Sequence, residues 1–163
     1  MSDPLVIYTS GGIQKRKDGG KRWRLMLDKF AKRGKLSVEF KHPDDCIDPE
    51  FTISKDAELL YDDPITWAVE HEKHEKLDYK YIDECQATVF YYDGKSGLGT
   101  DLEFLRVYDT NKLIFFIRCI AKTKVPHWVM WRLIKRHAED AKKVKIFTSL
   151  PEFKDYLKLT YGK

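Results

Sequence analysis

The sequence is poor in cysteine, and the few that it has form no recognisable framework. Cys46, Cys85 and Cys119 are odd in number and stand far apart, so neither a set of disulfides nor a zinc site with paired cysteines is predicted. This usage favours a reducing, cytoplasmic setting. The chain also lacks a GxGxxG dinucleotide fingerprint, a GxxxxGKS/T phosphate loop, a GxSxG nucleophile elbow and an HExxH zinc motif. We therefore expect no metal centre and no organic cofactor.

Long hydrophobic runs are also missing. The longest apolar run, Leu113–Ile117, is the size of a strand, and a membrane-spanning helix needs about 20 such residues. The beginning of the sequence has no signal-peptide pattern, so we expect a cytoplasmic protein without a membrane partner. The formal net charge of +4 is small, which argues against a nucleic-acid partner. With 163 residues, 42% of them hydrophobic, the chain is sized for one domain over residues 1–163.

Short apolar stretches alternate with amphipathic ones along the chain. The predicted strands are Leu5–Thr9, Lys35–Lys41, Ala87–Tyr92, Lys112–Arg118 and Val144–Phe147. The predicted helices are 21–33, 64–76, 78–85, 100–111, 124–137 and a last one from Ser149 onward. This alternation predicts an α/β fold, namely a doubly wound, flavodoxin-like, five-stranded parallel sheet with helices on both faces. Five such strands commonly take the order 2-1-3-4-5.

Two of the helices have a clear apolar stripe. In the first, the stripe contains Trp23, Met26 and Leu27, and Gly34 provides a natural end. In the helix over 124–137, Trp128, Trp131 and Ile134 are expected to be buried.

Residues 42–63 show no period at all. Eight acidic residues and a single lysine lie in this segment. A loop of this length in a compact domain is commonly functional or variable, so we expect either a lid or a surface loop.

Two glycine-rich loops follow the first and third predicted strands. They are Ser10–Gly20 and Asp93–Gly99. In the order 2-1-3-4-5 these two strands flank the topological switch point, where ligands bind beyond the carboxyl ends of the strands. The second loop leads into a helix that is predicted to begin at Thr100 and Asp101, which places Glu103 in its first turn. A carboxylate there faces unpaired N–H groups and a positive dipole end, so it should stay ionised.

Asp78 and Glu103 lie before and after the third strand. Two carboxylates around an anomeric carbon suit the cleavage of a glycosidic bond, because one attacks the carbon and the other handles the proton of the leaving group. With 26 acidic residues in the chain, this choice of two is weak by itself.

The same residues form a pattern that resembles the nucleoside 2-deoxyribosyltransferase family and its relatives, the 2'-deoxynucleoside 5'-phosphate N-hydrolases. The matching segments are Ile7-Tyr8 with Gly11-Gly12-Ile13, then Asp78 with Ile82 and the strand Ala87–Tyr92, and finally Gly97–Glu103. The resemblance spans roughly residues 5–118. It implies cleavage of the N-glycosidic bond of a 2'-deoxyribonucleoside or its 5'-monophosphate, with the sugar passing to another base or to water.

Carried over residue by residue, the resemblance implies a role for each matching position. Glu103 would be the nucleophile, Tyr8 would orient it, and Asp78 would assist at the base or the sugar. The turn that includes Ser96 would hold the 5' end of the sugar. The further substrate-binding residues that it implies are Gly11, Gly12, Ile13, Asp93, Gly97 and Gly99.

The basic residues Lys15, Arg16 and Arg22 in and after the first loop are candidates for a 5'-phosphate site. A solvated basic loop without a ligand is the competing interpretation, so nucleoside and nucleotide substrates both stay open. Two further readings also stay open, an NAD-type N-ribosyl hydrolase and a non-catalytic nucleotide-binding module. The second is suggested by the long first loop and by Gln86, where the family usually has an acidic residue. The resemblance also implies a homo-oligomer.

Overall fold

The computed structural model describes residues 3–12, 20–43, 62–94, 97–110 and 112–162. The strands are β1 (Leu5–Gly11), β2 (Val38–Lys41), β3 (Ala87–Tyr92), β4 (Leu113–Arg118) and β5 (Val144–Phe147). The α-helices are α1 (Lys21–Gly34), α2 (Pro64–Glu84), α3 (Leu98–Asp109), α4 (His127–Glu139) and α5 (Leu150–Tyr161). A short 3₁₀ helix, Lys122–Lys124, precedes α4. Most of the acidic 42–63 segment lies outside the described residues.

The five strands form one sheet in the order β2-β1-β3-β4-β5, and every pair of neighbours is parallel. This confirms the predicted doubly wound α/β fold. The direction of winding reverses between β1 and β3, so the switch point lies where β1 ends at Gly11 beside Tyr91.

Two hydrophobic cores cover the two faces of the sheet. One contains residues of α1 and α5, and the other contains residues of α2, α3 and α4. Strand β3 supplies both, because successive side chains of a strand point to opposite faces. Ala87 and Val89 lie in the first core, whereas Phe90 and Tyr92 lie in the second. Among the described residues, none of the helices combines the length and the apolar character that crossing a bilayer demands.

The helix α2 is longer than the sequence predicts. The two predicted helices, 64–76 and 78–85, are one continuous helix of 21 residues. Asp63 caps it, since its side chain accepts a hydrogen bond of 3.1 Å from the Thr66 N–H. After Pro64 the helix contains neither glycine nor proline, so its charged middle does not interrupt the backbone hydrogen bonds. Asp78 consequently lies inside the helix rather than at the start of a new one.

The buried stripes of α1 and α4 also differ from the prediction. Met26 is 41% exposed, and Trp131 and Ile134 are 52% and 59% exposed. In α4 it is Val129 and Leu133 that are buried. These two residues are four apart and lie on the same side of the helix, so the larger side chains on either side of them remain at the surface.

The carboxyl end of α2 is closed by a lysine from another element. The Lys112 ammonium donates to the carbonyl oxygens of Ile82, Asp83 and Cys85 at 2.5, 2.5 and 2.8 Å. The last carbonyls of a helix have no partner within it and carry a partial negative charge. Lys112 therefore fixes the end of α2 against the beginning of β4.

We expect Lys112→Met to lower the free energy of unfolding by about 2 kcal/mol, because three carbonyls lose a charged donor. Urea denaturation measures this change. Lys80→Met is the matched control: the Lys80 ammonium is exposed and lies 4.0 Å from Glu84, so its loss should cost less than about 0.5 kcal/mol. Equal losses in the two variants would contradict the role of Lys112.

Candidate functional site

The end of β1 presents two hydroxyl groups on the same face of the sheet. Tyr8 and Ser10 are two residues apart in the strand, so their side chains point the same way. Both residues are fully buried, and Tyr8 belongs to the core beneath α2, α3 and α4. The hydroxyl groups therefore face α3 from the carboxyl end of β1.

Both hydroxyl groups meet the carboxylate of Glu103 on α3. The Tyr8 hydroxyl donates to Oε1 of Glu103 at 2.6 Å, and the Ser10 hydroxyl donates to Oε2. Glu103 is thus bonded through both of its oxygens to one strand at the switch point. The structure therefore places Tyr8 and Glu103 side by side, as the resemblance implied, while their catalytic roles stay predictions.

The helix around Glu103 begins earlier than the sequence predicts. It starts at Leu98 with Gly97 as the N-cap, and Asp101 is the acidic residue of its first turn. Glu103 lies in the second turn, beyond the range in which the helix dipole acts strongly. The expectation that the helix end keeps Glu103 ionised is therefore wrong in its cause. The two hydroxyl donors of β1 provide the stabilisation instead, because hydrogen bonds to a carboxylate favour its charged form.

The surroundings keep the Tyr8 phenol neutral. Burial raises the pKa of Tyr8 well above its usual value, and the negative charges of Glu103 and Asp78 raise it further, with Arg24 acting in the opposite direction. Tyr8 therefore remains a hydrogen-bond donor at any physiological pH. The charge of Asp78 acts on the same phenol, and its Oδ1 atom is buried. Asp78, from α2, therefore lies within the electrostatic range of Tyr8.

Two further tyrosines lie within the electrostatic range of Glu103. Burial, followed by a hydrogen bond to Glu75 and the charges of Glu75 and Glu103, raises the pKa of Tyr79 to about 12. Tyr92 at the end of β3 donates to Asp101. Burial raises the pKa of Tyr92 as well, with contributions from Asp101 and Glu103. Both phenols therefore stay protonated near neutral pH.

A buried arginine stands behind β1, on the opposite face of the sheet. Arg24 is 1% exposed, and its Nε donates to the Thr9 hydroxyl at 3.1 Å. Its other nitrogens donate to the carbonyl oxygens of Thr9, Gly11 and Gly20 at 3.4, 3.2 and 3.1 Å. The guanidinium group thus joins the end of β1 to the residue that precedes α1. Its contacts fix the stretch of backbone that carries Tyr8 and Ser10.

The same threonine leads to a second polar chain. The Thr9 hydroxyl lies 2.8 Å from Nδ1 of His42, and Nε2 of His42 lies 2.9 Å from Asp28 on α1. Thr9 is fully buried, so this row of groups ties β1, the end of β2 and α1 together.

The predicted glycines differ in what surrounds them. A Cβ atom on Gly11 would lie 3.1 Å from the Trp23 ring and 3.2 Å from the Tyr91 carbonyl, so a side chain there would have to displace its neighbours by a few tenths of an ångström. Gly12, directly after β1, is buried. A Cβ atom on Gly20 would lie 2.8 Å from the carbonyl oxygen of Gly12. At Gly97 and Gly99 a Cβ would meet no described atom within 4 Å. Among the described residues, none therefore crowds this side of the first turn of α3.

The remaining predicted site residues stay predictions. Asp93 follows β3 and is partly exposed, and Arg22 is exposed on α1. Ile13, Lys15, Arg16 and Ser96 lie outside the described residues. Within the described ranges, no group of three or more His, Cys, Asp or Glu side chains could hold a metal ion.

Gln86, which suggested a lost activity, contacts the amino-terminal part of β1. It directly precedes β3, and its side-chain oxygen accepts a hydrogen bond of 2.7 Å from the Val6 N–H. Glu103, by contrast, faces the carboxyl end of β1. In the structure, Gln86 therefore serves the pairing of β1 with β3.

Comparison with known proteins gives a likeness of fold. No protein-family model matches the chain, and no curated protein matches its sequence. Among solved structures, a 2-desoxiribosyltransferase from Leishmania mexicana matches with a TM-score of 0.56 and 13% identity, over 96% of this chain and 99% of that one. A CMP N-glycosidase from Clostridium botulinum matches with a TM-score of 0.48 and 15% identity, over 94% of this chain and 98% of its own. At 13% identity, the match to the Leishmania mexicana protein establishes the fold alone. The chemistry has to be argued from the site.

We expect Arg24→Met to lower the free energy of unfolding by about 3 kcal/mol, because several buried carbonyl oxygens would lose their charged donor. Thermal and urea denaturation measure the loss. Lys29→Met, at an exposed position of the same helix, should change it by less than about 0.5 kcal/mol. A fully stable Arg24→Met protein would show that the guanidinium does not hold the loop ends.

Proposed function

We propose that this protein cleaves the N-glycosidic bond of a 2'-deoxyribonucleoside or its 5'-monophosphate through a covalent deoxyribosyl-Glu103 ester. The sugar then passes to another nucleobase or to water. The observation that carries the proposal is the carboxylate of Glu103, held by the hydroxyl groups of Tyr8 and Ser10 at the switch point of the sheet.

The fold gives this assignment its context. A protein of the same fold is named as a 2-desoxiribosyltransferase, and the sequence pattern around Tyr8, Asp78 and Glu103 resembles that enzyme family. Fold alone does not fix a function. The proposal therefore depends on the agreement between that pattern and the carboxylate at the switch point.

The chemistry needs only the groups that are present. An oxygen of the Glu103 carboxylate attacks C1' of the sugar, a C–O bond forms, and the C1'–N bond breaks with its electron pair leaving on the base. A proton then reaches the base from solvent, either directly or relayed through Asp78. In the second step the incoming base or water attacks C1', and the carboxylate departs with the electron pair of the ester bond.

The substrate occupies the space beside the first turn of α3. Gly97 and Gly99 leave that side open, so a sugar can approach the backbone closely. A 5'-hydroxyl and a 5'-phosphate both fit this placement in chemical terms. Assays with each class of substrate decide between them, and Lys15, Arg16 and Arg22 stay candidates for the phosphate.

The competing readings have less support. The non-catalytic reading rests partly on Gln86, which contacts the amino-terminal part of β1. Hydrolysis of an NAD-type substrate uses the same attack on an anomeric carbon, and its product, nicotinamide, separates it from the first proposal.

The exposed apolar side chains also support self-association. The outer surface of α2, α3 and α4 carries five of them, Ile65, Val69, Leu102, Trp131 and Ile134. We propose that this surface, rather than the face covered by α1 and α5, is where copies of the chain meet, because it carries more exposed apolar side chains than the three described on α1 and α5 (Leu25, Met26 and Leu159), and exposed apolar surface commonly marks such contacts.

We expect Glu103→Ala to lower base release from a deoxynucleoside or deoxynucleotide by at least about 1,000-fold, because the nucleophile is gone. Chromatography of the freed base, with and without an acceptor base, measures the rate. Glu139→Gln, which changes an exposed residue of α4, serves as the control and should retain full activity. Mass spectrometry of the quenched enzyme should detect the sugar on Glu103. If Glu103→Ala turns over normally, the assignment of the nucleophile is wrong.

We expect Trp131→Glu to shift the protein towards smaller species in sedimentation velocity, because a charge would enter the proposed contact surface. Leu159→Glu, which changes an exposed apolar residue of α5, is the control and should leave the distribution unchanged. A wild-type protein that stays monomeric at high concentration would contradict the proposal of self-association.

A further inference from the structure

The carboxylate of Glu103 accepts two hydrogen bonds from one strand, and only one of them comes from a residue that the resemblance singles out. The bond to Oε1 comes from Tyr8, and the bond to Oε2 comes from Ser10. At the level of the sequence, Ser10 looked like the first residue of a polar loop. The structure places it in β1, where it is fully buried.

We infer that Ser10 is a positioning residue of the site, which fixes the plane of the Glu103 carboxylate jointly with Tyr8. The catalytic importance of Ser10 rests on the proposed function. The positioning of the Glu103 carboxylate by Ser10 does not depend on it.

Two donors achieve what one cannot. A single bond from Tyr8 would leave the carboxylate free to turn about that contact, whereas bonds to both oxygens fix its orientation. Both donors belong to the same strand, and the contacts of Arg24 with Thr9 and Gly11 fix the backbone between and after them.

The electrostatic effect of Ser10 adds to that of several neighbours. From α2, the charge of Asp78 raises the pKa of Tyr8. The charge of Glu103 raises the pKa of Tyr79, which also belongs to α2. The charge of Glu103 also raises the pKa of Tyr92 on β3. Arg24 on α1 opposes the effect of the carboxylates on Tyr8. Arg106 of α3 lies over the Tyr79 ring at 5.5 Å.

The neighbouring groups act in opposite directions on the ionisation of Glu103. Negative Asp78 disfavours a charged Glu103, whereas the two hydroxyl donors favour it. Ser10 thus helps to keep the carboxylate ionised next to another carboxylate. In the proposed reaction, a less basic carboxylate also leaves its sugar ester more readily in the second step.

The experiment follows the Glu103 carboxyl directly. Protein labelled with ¹³C at the δ-carbon of glutamate is titrated by NMR, and the Glu103 signal is identified by its absence from Glu103→Gln. We expect Ser10→Ala to raise the pKa of Glu103 by roughly one unit, because the charged form loses a donor. Tyr8→Phe should raise the pKa similarly, the double variant should raise it further, and Ser10→Cys should give a smaller shift because a thiol is a weak donor.

The control variant removes a hydroxyl that has no bond to Glu103. Thr88 lies on β3 opposite Tyr8, is fully buried, and its hydroxyl has no hydrogen-bond partner among the described residues. Thr88→Val should leave the titration of Glu103 unchanged. Circular dichroism verifies that each variant is folded.

The result that overturns the inference is a Glu103 carboxyl that titrates in folded Ser10→Ala as it does in the wild type, or that shifts as much in Thr88→Val. These measurements need no substrate, so they remain decisive even if the wild type releases no base and the proposed function fails. If base release is found, Ser10→Ala should lower kcat/KM about tenfold more on the acid side of the pH profile than on its plateau.

Discussion

Two hydroxyl groups of one strand bind both oxygens of one carboxylate, and the arrangement of the site depends on this contact. A partly buried carboxylate is costly unless hydrogen bonds compensate for lost water. Tyr8 and Ser10 compensate because the alternation of a strand points them to the same side. Glu103 can reach them only because Phe104 and Val107, both fully buried, pack α3 against the sheet. A shift of α3 along β1 would separate the charge from its donors.

Most of the fold follows from clear hydrophobic patterns in the sequence. Uncharged runs such as Ala87–Tyr92 predict strands that are buried on both faces, and their alternation with helices predicts the parallel sheet that the structure confirms. The errors occur where a pattern is weak. The charged middle of α2 has no apolar stripe, so its continuity shows only in the absence of glycine and proline. In α4 the stripe that faces the sheet is narrow, and Trp131 and Ile134 lie beside it.

The site could be predicted only in part, because its residues differ in how clearly the sequence around them indicates their roles. Tyr8, Asp78 and Glu103 were found through a resemblance of spacing. Ser10 was missed because β1 continues two residues beyond its apolar run, and a serine before two glycines is typical of a loop. Arg24 was missed because a cation in a helix that faces the core normally lies at the surface, and nothing local signals the carbonyl oxygens that gather around it.

The row formed by Asp28, His42 and Thr9 joins helix α1 to the ends of β2 and β1. The Thr9 hydroxyl also accepts a hydrogen bond from Nε of Arg24 and lies 3.2 Å from the Lys41 carbonyl oxygen. One buried threonine thus connects α1 with both strands, directly behind the strand that positions Glu103. A substitution that removed its hydroxyl would take away the common partner of Arg24 and His42 and would loosen the backbone between Tyr8 and Ser10.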